Sequence, residues 1–265
     1  MNKALLLPLS LLIALPFAVH AQDSAADNAT SGGWSGSGEF GFASAHGNSH
    51  TENLNAKLGL NQENERWKNA FSLTGLRSKA DTTNDDGTTD FQTTANRYDG
   101  AASIGYKFNP RSYLVNAARY EHDDFGSNLW QATYSIGYGY IALKNARAEL
   151  SFEIGPGYKR YRPADTYQTI NGTSVKVHSP VNDEVIGRSL VNSKLRMTAN
   201  TSLEDTLLVE AGSQNTYIQN DLGMSVTVTQ KLALKLAYQV RYNSDVDNQT
   251  KHTDTLYTTN LVYNF

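Results

Sequence analysis

Ser44 and His46 stand two positions apart, with Asn48 following. On an extended strand they share a face, so the imidazole could reach the serine hydroxyl and take its proton, as a phospholipase-like, lipid-acting enzyme requires. The simpler reading of the stretch is a hairpin turn at Gly47-Asn48. His46, His50, His122, His178 and His252, with Asp123, Asp124 and Asp254, offer the imidazole and carboxylate donors of a rim metal site, but no HExxH or comparable spacing occurs. Solvated loop residues account for them. Asp81, Asp85, Asp86 and Asp90 lack the glycine and terminal glutamate register of a calcium loop and read as an acidic rim, bridged to lipopolysaccharide by divalent cations. Residues 36–41 match G-x-G-x-x-G, yet they lie inside an alternating strand and not in a strand-to-helix turn. No catalytic residue, cofactor or metal is assigned.

The elements that would carry these residues alternate with a period of two. Leu232, Leu234, Leu236, Tyr238, Val240 and Tyr242 face one way, and Lys231, Ala233, Lys235, Ala237, Gln239 and Arg241 the other. The same split recurs along the chain and predicts strands near 34–45, 51–62, 66–79, 91–108, 112–122, 128–142, 146–161, 182–199, 204–214, 216–229, 231–243 and 252–265. Strand 112–122 has two mixed faces, so its parity stays open. Tight turns alternate with connections of which 80–90, 162–181 and 244–251 are long, the pattern of periplasmic turns and extracellular loops.

The 265 residues include no cysteine, which excludes disulfides, thiolate metal sites, a thiol nucleophile and a lipoprotein anchor. A net charge of −3 argues against nucleic acid as a partner. Residues 1–21 read as a signal peptide cleaved after Ala21: Lys3 precedes an apolar run, and Val19-His20-Ala21 has small residues at the positions a signal peptidase needs. Residues 22–33 are a flexible leader, and 34–265 form the fold. No later run is long enough for a membrane helix.

Export, strand lengths and aromatic placement select an all-β, antiparallel transmembrane β-barrel of about twelve strands in the outer membrane. Trp34, Trp67, Tyr106, Phe108, Tyr138, Tyr140, Tyr263 and Phe265 fall at the turn-side ends. Tyr98, Trp130, Tyr158, Tyr242 and Tyr257 fall nearer the loop side. Tyr257, Leu261, Tyr263 and Phe265 form a final outward face with a terminal aromatic, a candidate signal for the barrel-insertion machinery. Parity turns Lys57, Arg97, Asp99, Glu149, Glu153, Arg188, Lys194, Arg196, Glu210, Lys235 and Arg241 toward the lumen, where charges either pair and fill it or set the selectivity of a pore.

Several of these residues carry a resemblance: Trp34-x-Gly36, Gly47-Asn48-Ser49, Leu54-x-Ala56-x-Leu58, Trp67, Tyr98-Asp99, Tyr120-Glu121-His122-Asp123-Asp124-Phe125, Gly137-Tyr138-Gly139-Tyr140 and Gly155-Pro156-Gly157-Tyr158. In this order the chain resembles the salt-induced outer membrane protein family, small Gram-negative barrels of unassigned function. Ser49 stands where threonine is more usual, and the acidic insertion near residue 85 is particular to this chain. The resemblance implies an outer-membrane barrel linked to salt or envelope stress, and no reaction.

The expected protein is thus a non-enzymatic, monomeric barrel, acting as a narrow passive channel for ions or small solutes and surrounded by outer-membrane lipid and lipopolysaccharide. Two alternatives stay open: the lipid-acting enzyme built on Ser44 and His46, and a closed structural or adhesion barrel.

Overall fold

A computed structural model describes residues 33–46, 50–84, 86–170, 173–246 and 251–265. The expected signal peptide and nearly all of the leader lie outside the described residues. The strands are β1 (Trp34–Ala45), β2 (Thr51–Glu63), β3 (Trp67–Thr83), β4 (Thr89–Lys107), β5 (Ser112–Asp123), β6 (Asn128–Lys144), β7 (Ala148–Pro163), β8 (Thr166–Ile170), β9 (Thr173–Val177), β10 (Asn182–Arg196), β11 (Thr201–Gly212), β12 (Thr216–Thr227), β13 (Leu232–Asn243) and β14 (Thr253–Asn264). Twelve of them close an antiparallel barrel in the order β1-β14-β13-β12-β11-β10-β7-β6-β5-β4-β3-β2, and β8 and β9 form a separate two-stranded hairpin.

Side-chain alternation sorts the residues between lipid and lumen. Phe40 and Phe42 of β1, Leu234 and Leu236 of β13, and Tyr257 and Leu261 of β14 are exposed on the outside. The turn-side end carries ring contacts between strands: Trp34 of β1 reaches across β2 to Phe71 of β3 at 5.6 Å, and Trp67 meets Tyr106 of the adjacent β4 at 5.4 Å. Amphipathic and aromatic rings at one level are what a bilayer interface selects.

Three of the tight turns share one device. Asn64 Oδ1 accepts the backbone N–H groups of Arg66 and Trp67, Asn109 those of Arg111 and Ser112, and Asn145 those of Arg147 and Ala148. A short amide that mimics a backbone acceptor lets the chain reverse without orphaned donors.

At Gly155-Pro156-Gly157 the β6–β7 ladder skips: register partners run to Ser135↔Gly157 and resume at Tyr138↔Ile154. Pro156 has no N–H to donate, and a Cβ on Gly155 would stand 2.1 Å from the Ile136 carbonyl oxygen. The two backbones therefore approach more closely there than any side chain permits.

Three features differ from the sequence expectation. The connection expected at 80–90 is mostly ladder, since β3 runs to Thr83 and β4 starts at Thr89, with Asp81↔Phe91 and Thr83↔Thr89 in register. The connection 162–181 carries the β8–β9 hairpin, and its sequence signal is Asn171-Gly172 between two alternating runs. The turn placed at 201–203 belongs instead to β11, because the backbone N–H groups of Met197 and Thr198 already close the reversal on the Thr201 carbonyl.

Gly155→Ala should lower the urea midpoint of the refolded barrel by the equivalent of about 2 kcal/mol or more, since only backbone can yield. Gly38→Ala, which meets nothing within 4 Å, should stay within about 0.5 kcal/mol. Equal midpoints for the two variants would refute this account of the glycine-proline-glycine run.

Candidate functional site

The barrel interior is built from the inward residue of each register pair. Glu39↔Lys57↔Thr74↔Asp99↔Glu121↔Gln131 share one face in successive strands, which settles β5: Tyr113, Val115, Ala117, Arg119 and Glu121 point inward. Its faces looked mixed because the lumen holds a small apolar core of Tyr113, Val115 and Ile141 below a charged layer.

Arg241 of β13 is the centre of that layer. Its guanidinium bonds Glu121 of β5, six strands away around the ring and so directly across the barrel. The Arg241 Nε–H also donates to Tyr217 Oη at 2.8 Å, and Asp123 lies 3.5 Å from Nη1. Arg119 donates to Glu121 at 2.9 Å and to Glu210 of β11 at 2.6 Å, while Thr133 donates to the second Glu210 oxygen at 3.1 Å. Both guanidinium groups lie over the Tyr217 ring, which has no solvent exposure. A second chain crosses from β4 to β13, where Arg97 donates to Gln239 at 2.7 Å and Gln239 to Asp221 at 2.5 Å.

The tie from β13 to β5 divides the lumen in two. On the side of β6, β7, β10, β11 and β12 the inward groups are packed: Lys159 faces Glu184 at 3.7 Å, each side chain 1% exposed, and Arg188 bonds Glu153 at 3.0 Å. On the side of β1 to β4 they are small or solvated. Asn53, Lys57 and Asn61, which point inward at successive levels of β2, are exposed, and Ser72, Thr74, Ala101 and Ser103 opposite them are short. Among the described residues Lys57 has no ion pair or hydrogen-bond partner.

Of the other residues singled out in the sequence, Lys235 bonds Glu39 at 2.8 Å near the β1–β14 junction. Glu149 and Asp99 point inward without an ion pair among the described residues. Lys194, paired with Glu204 at 2.6 Å, and Arg196 are exposed near the turn-side end of β10. Tyr257, Leu261, Tyr263 and Phe265 are all exposed on the outer face.

At the loop-side rim the Ser44 hydroxyl and His46 Nε2 lie 2.9 Å apart, both exposed outside the barrel. The His50 ring lies 4.3 Å from that of His46, and among the described residues no carboxylate orients the His46 imidazole. The remaining histidines are dispersed: His122 bonds Asp124, His178 meets Asp165, and His252 bonds the Asn243 carbonyl. The Arg162 hydrogen bond to Asp165, supported by His178 and Lys176, holds this carboxyl well below the usual range and clips the hairpin to the end of β7.

A closed antiparallel barrel with an apolar outer face, an ion-paired interior and short turns on one side is the architecture of the outer-membrane transmembrane barrels. Within that class the chain belongs to DUF481, a family described as proteins of unknown function, whose model matches residues 38–265. Its fold is similar to the translocator domain of the autotransporter NalP from Neisseria meningitidis, with a TM-score of 0.50, 11% identity and 89% of each chain covered. The NanC porin gives 0.42 at 9% identity, covering 88% of this chain and 98% of that one. The beta domain of the Bordetella autotransporter BrkA gives 0.39 at 13%, covering 88% and 97%. Identities this low speak of fold alone. No curated protein matches the sequence, and the family description neither supplies a role nor supports the salt-induced label.

Removing one member of the central tie leaves a desolvated charge behind. Glu121→Ala should therefore cost about 3 kcal/mol in urea unfolding, against less than about 1 kcal/mol for Lys194→Ala, whose pair is half exposed. Similar losses from both would show that the central layer is as solvated as the rim.

Proposed function

We propose that this protein is a non-enzymatic outer-membrane barrel that acts as a narrow passive channel for ions or small solutes. The observation that carries the reading is the solvated wall of β2, where Asn53, Lys57 and Asn61 point into the lumen and remain exposed beside a half that is packed shut. A passage displaced to one wall, lined by amides, hydroxyls and one free ammonium, suits small polar solutes and favours anions weakly. A larger solute would have to break the Arg241 to Glu121 tie.

In this reading the chain is exported by a signal cleaved after Ala21 and inserted through its last strand. It works as a monomer in lipid and lipopolysaccharide, and its acidic loops meet the outer surface. A role in envelope or salt stress is what the family resemblance adds.

The channel reading predicts small, steady currents from refolded protein in a planar bilayer, with a reversal potential under a salt gradient on the anion side. Lys57→Glu should move that potential toward cations, and Lys194→Glu/Arg196→Glu should move it less. A correctly folded, heat-modifiable barrel without current would overturn the reading in favour of a closed barrel.

The non-enzymatic reading predicts no fatty acid release from phospholipid in mixed micelles, with Ser44→Ala indistinguishable from wild type. Release by wild type that disappears in Ser44→Ala would overturn it and make the 2.9 Å hydroxyl–imidazole pair a catalytic dyad.

A further inference from the structure

The barrel is closed least completely where its ends meet. Register partners join β1 to β14 from Ser37↔Asn264 to Phe40↔Leu261, and reciprocal backbone bonds between Gly36 and Phe265 extend the ladder by one level. Beyond Phe40, residues 41–45 have no register partner on β14, although β1 stays paired with β2 as far as Ala45↔Thr51 and β14 with β13 as far as Tyr242↔Thr253.

Residues 36–40, at about 3.3 Å each and inclined by about 40°, rise about 13 Å, roughly half of a ~25 Å apolar band. Pairing therefore stops near mid-membrane; at Gly41 a Cβ would still stand 2.9 Å from the Thr259 carbonyl oxygen, so the gap opens beyond it, toward the outer leaflet. Strand edges at that depth persist only where water or another molecule satisfies them.

The surroundings of the gap name the molecule. Its outer lips carry two large exposed rings, Phe42 at 61% and Tyr257 at 75%, with the hydroxyls of Ser44, Thr255 and Thr259 on the same outward faces. Its floor is polar, because Asn260 Oδ1 accepts from Asn55 at 2.8 Å and occupies the place a side chain on Gly41 would take. Behind it, Asn55 and Asn260 fill the inward space at Gly41, while Ala43, beside Asn53 of β2, is too small to screen the lumen; the unpaired Lys57 stands one inward level below Asn55, in register with Glu39. A mouth flanked by two large rings, with an ammonium just below its polar floor, suits an amphiphile with an anionic head.

We propose that the outer half of the β1–β14 seam is a lateral binding site for a single-chain amphiphile with an anionic head. The tail lies in the outer leaflet between Phe42 and Tyr257, and the head reaches Lys57 in the lumen. The proposal rests on the barrel spanning the membrane with a water-filled β2 wall, not on the lumen conducting.

The chain has no cysteine, so a staple across the seam is unambiguous. Ala43 and Thr258 would face one another if the register continued, at a level without cross-strand backbone bonds, where side chains come closest. The probe is lauric acid with a terminal fluorophore, compared with its methyl ester, titrated into refolded protein in nanodiscs.

The acid should bind at one site about tenfold more tightly than the ester, and Lys57→Gln should erase that difference. Oxidised Ala43→Cys/Thr258→Cys should lose binding, and reductant should restore it. Competition by lauryl phosphate against laurate assigns the preferred head group.

Equal binding of acid and ester, or equal binding by the oxidised and reduced staple, would overturn the site. Loss of binding with bilayer current intact defeats the seam site alone, and graded binding without current defeats the channel alone. Lys57→Gln, with no partner to lose, keeps the test valid where the staple fails to fold.

Discussion

Hydrocarbon offers no partner to a backbone N–H or carbonyl, and every larger feature of this barrel answers to that constraint. An even number of strands with antiparallel ladders returns the last strand to the first. The Asn-closed turns keep reversals from orphaning donors at one interface, and the loops reach water at the other. The ladder departs from full pairing at the β6–β7 skip, where two backbones approach closely around Gly155. It does so again at the seam, where the Asn55, Asn260, Glu39 and Lys235 side chains bond one another behind the last ladder rung.

The interior follows from the same exclusion, applied to charge. An isolated guanidinium withdrawn from water costs several kcal/mol, so Arg241 and Arg119 are stable inside the barrel only with Glu121, Glu210, Tyr217 and Thr133 around them. Because Glu121 and Arg241 come from opposed strands, satisfying them also ties the walls together. The tie gives the lumen two unlike halves. Large inward residues on β6, β7 and β10 to β12 pack one, and in the other the inward side chains of β2 stay exposed.

The twelve barrel strands and their boundaries were legible because each strand has one face in lipid, which makes the period-two signal strong wherever the inner face is polar. Strand β5 resisted for the physical reason that its inner face is partly apolar: Tyr113, Val115 and Ala117 bury against Ile141 inside the lumen, so neither face looks like the lipid side. Parity could place Glu121 and Arg241 on faces but not opposite one another, since that depends on strand order around the ring and on accumulated register. The seam gap was invisible for a related reason. Residues 41–45 alternate as well as the rest of β1, and only the position of the β14 partner tells a paired edge from an unpaired one. Ser44 and His46 were legible as a pair at strand spacing, and their hydrogen bond follows from that spacing; the missing carboxylate on His46 is a tertiary fact.

The open half of the lumen and the incomplete seam lie on the same side, and one cause explains both. Large inward side chains hold neighbouring strands in register by packing, as Tyr113 does across Gly139, where a Cβ would stand 2.2 Å from its ring. On β1 to β4 many inward residues are small, Gly41, Ala43, Gly59, Ser72, Thr74, Ala101 and Ser103 among them, and these leave room for water along the wall. Water removes the penalty for an unpaired edge facing it, so the outer seam loses both the packing that would press β1 onto β14 and the desolvation that would force their backbones to pair. A bulky residue at position 43 would restore both at once. The small residues that keep the β2 wall wet are thus the ones that leave the barrel open at its side.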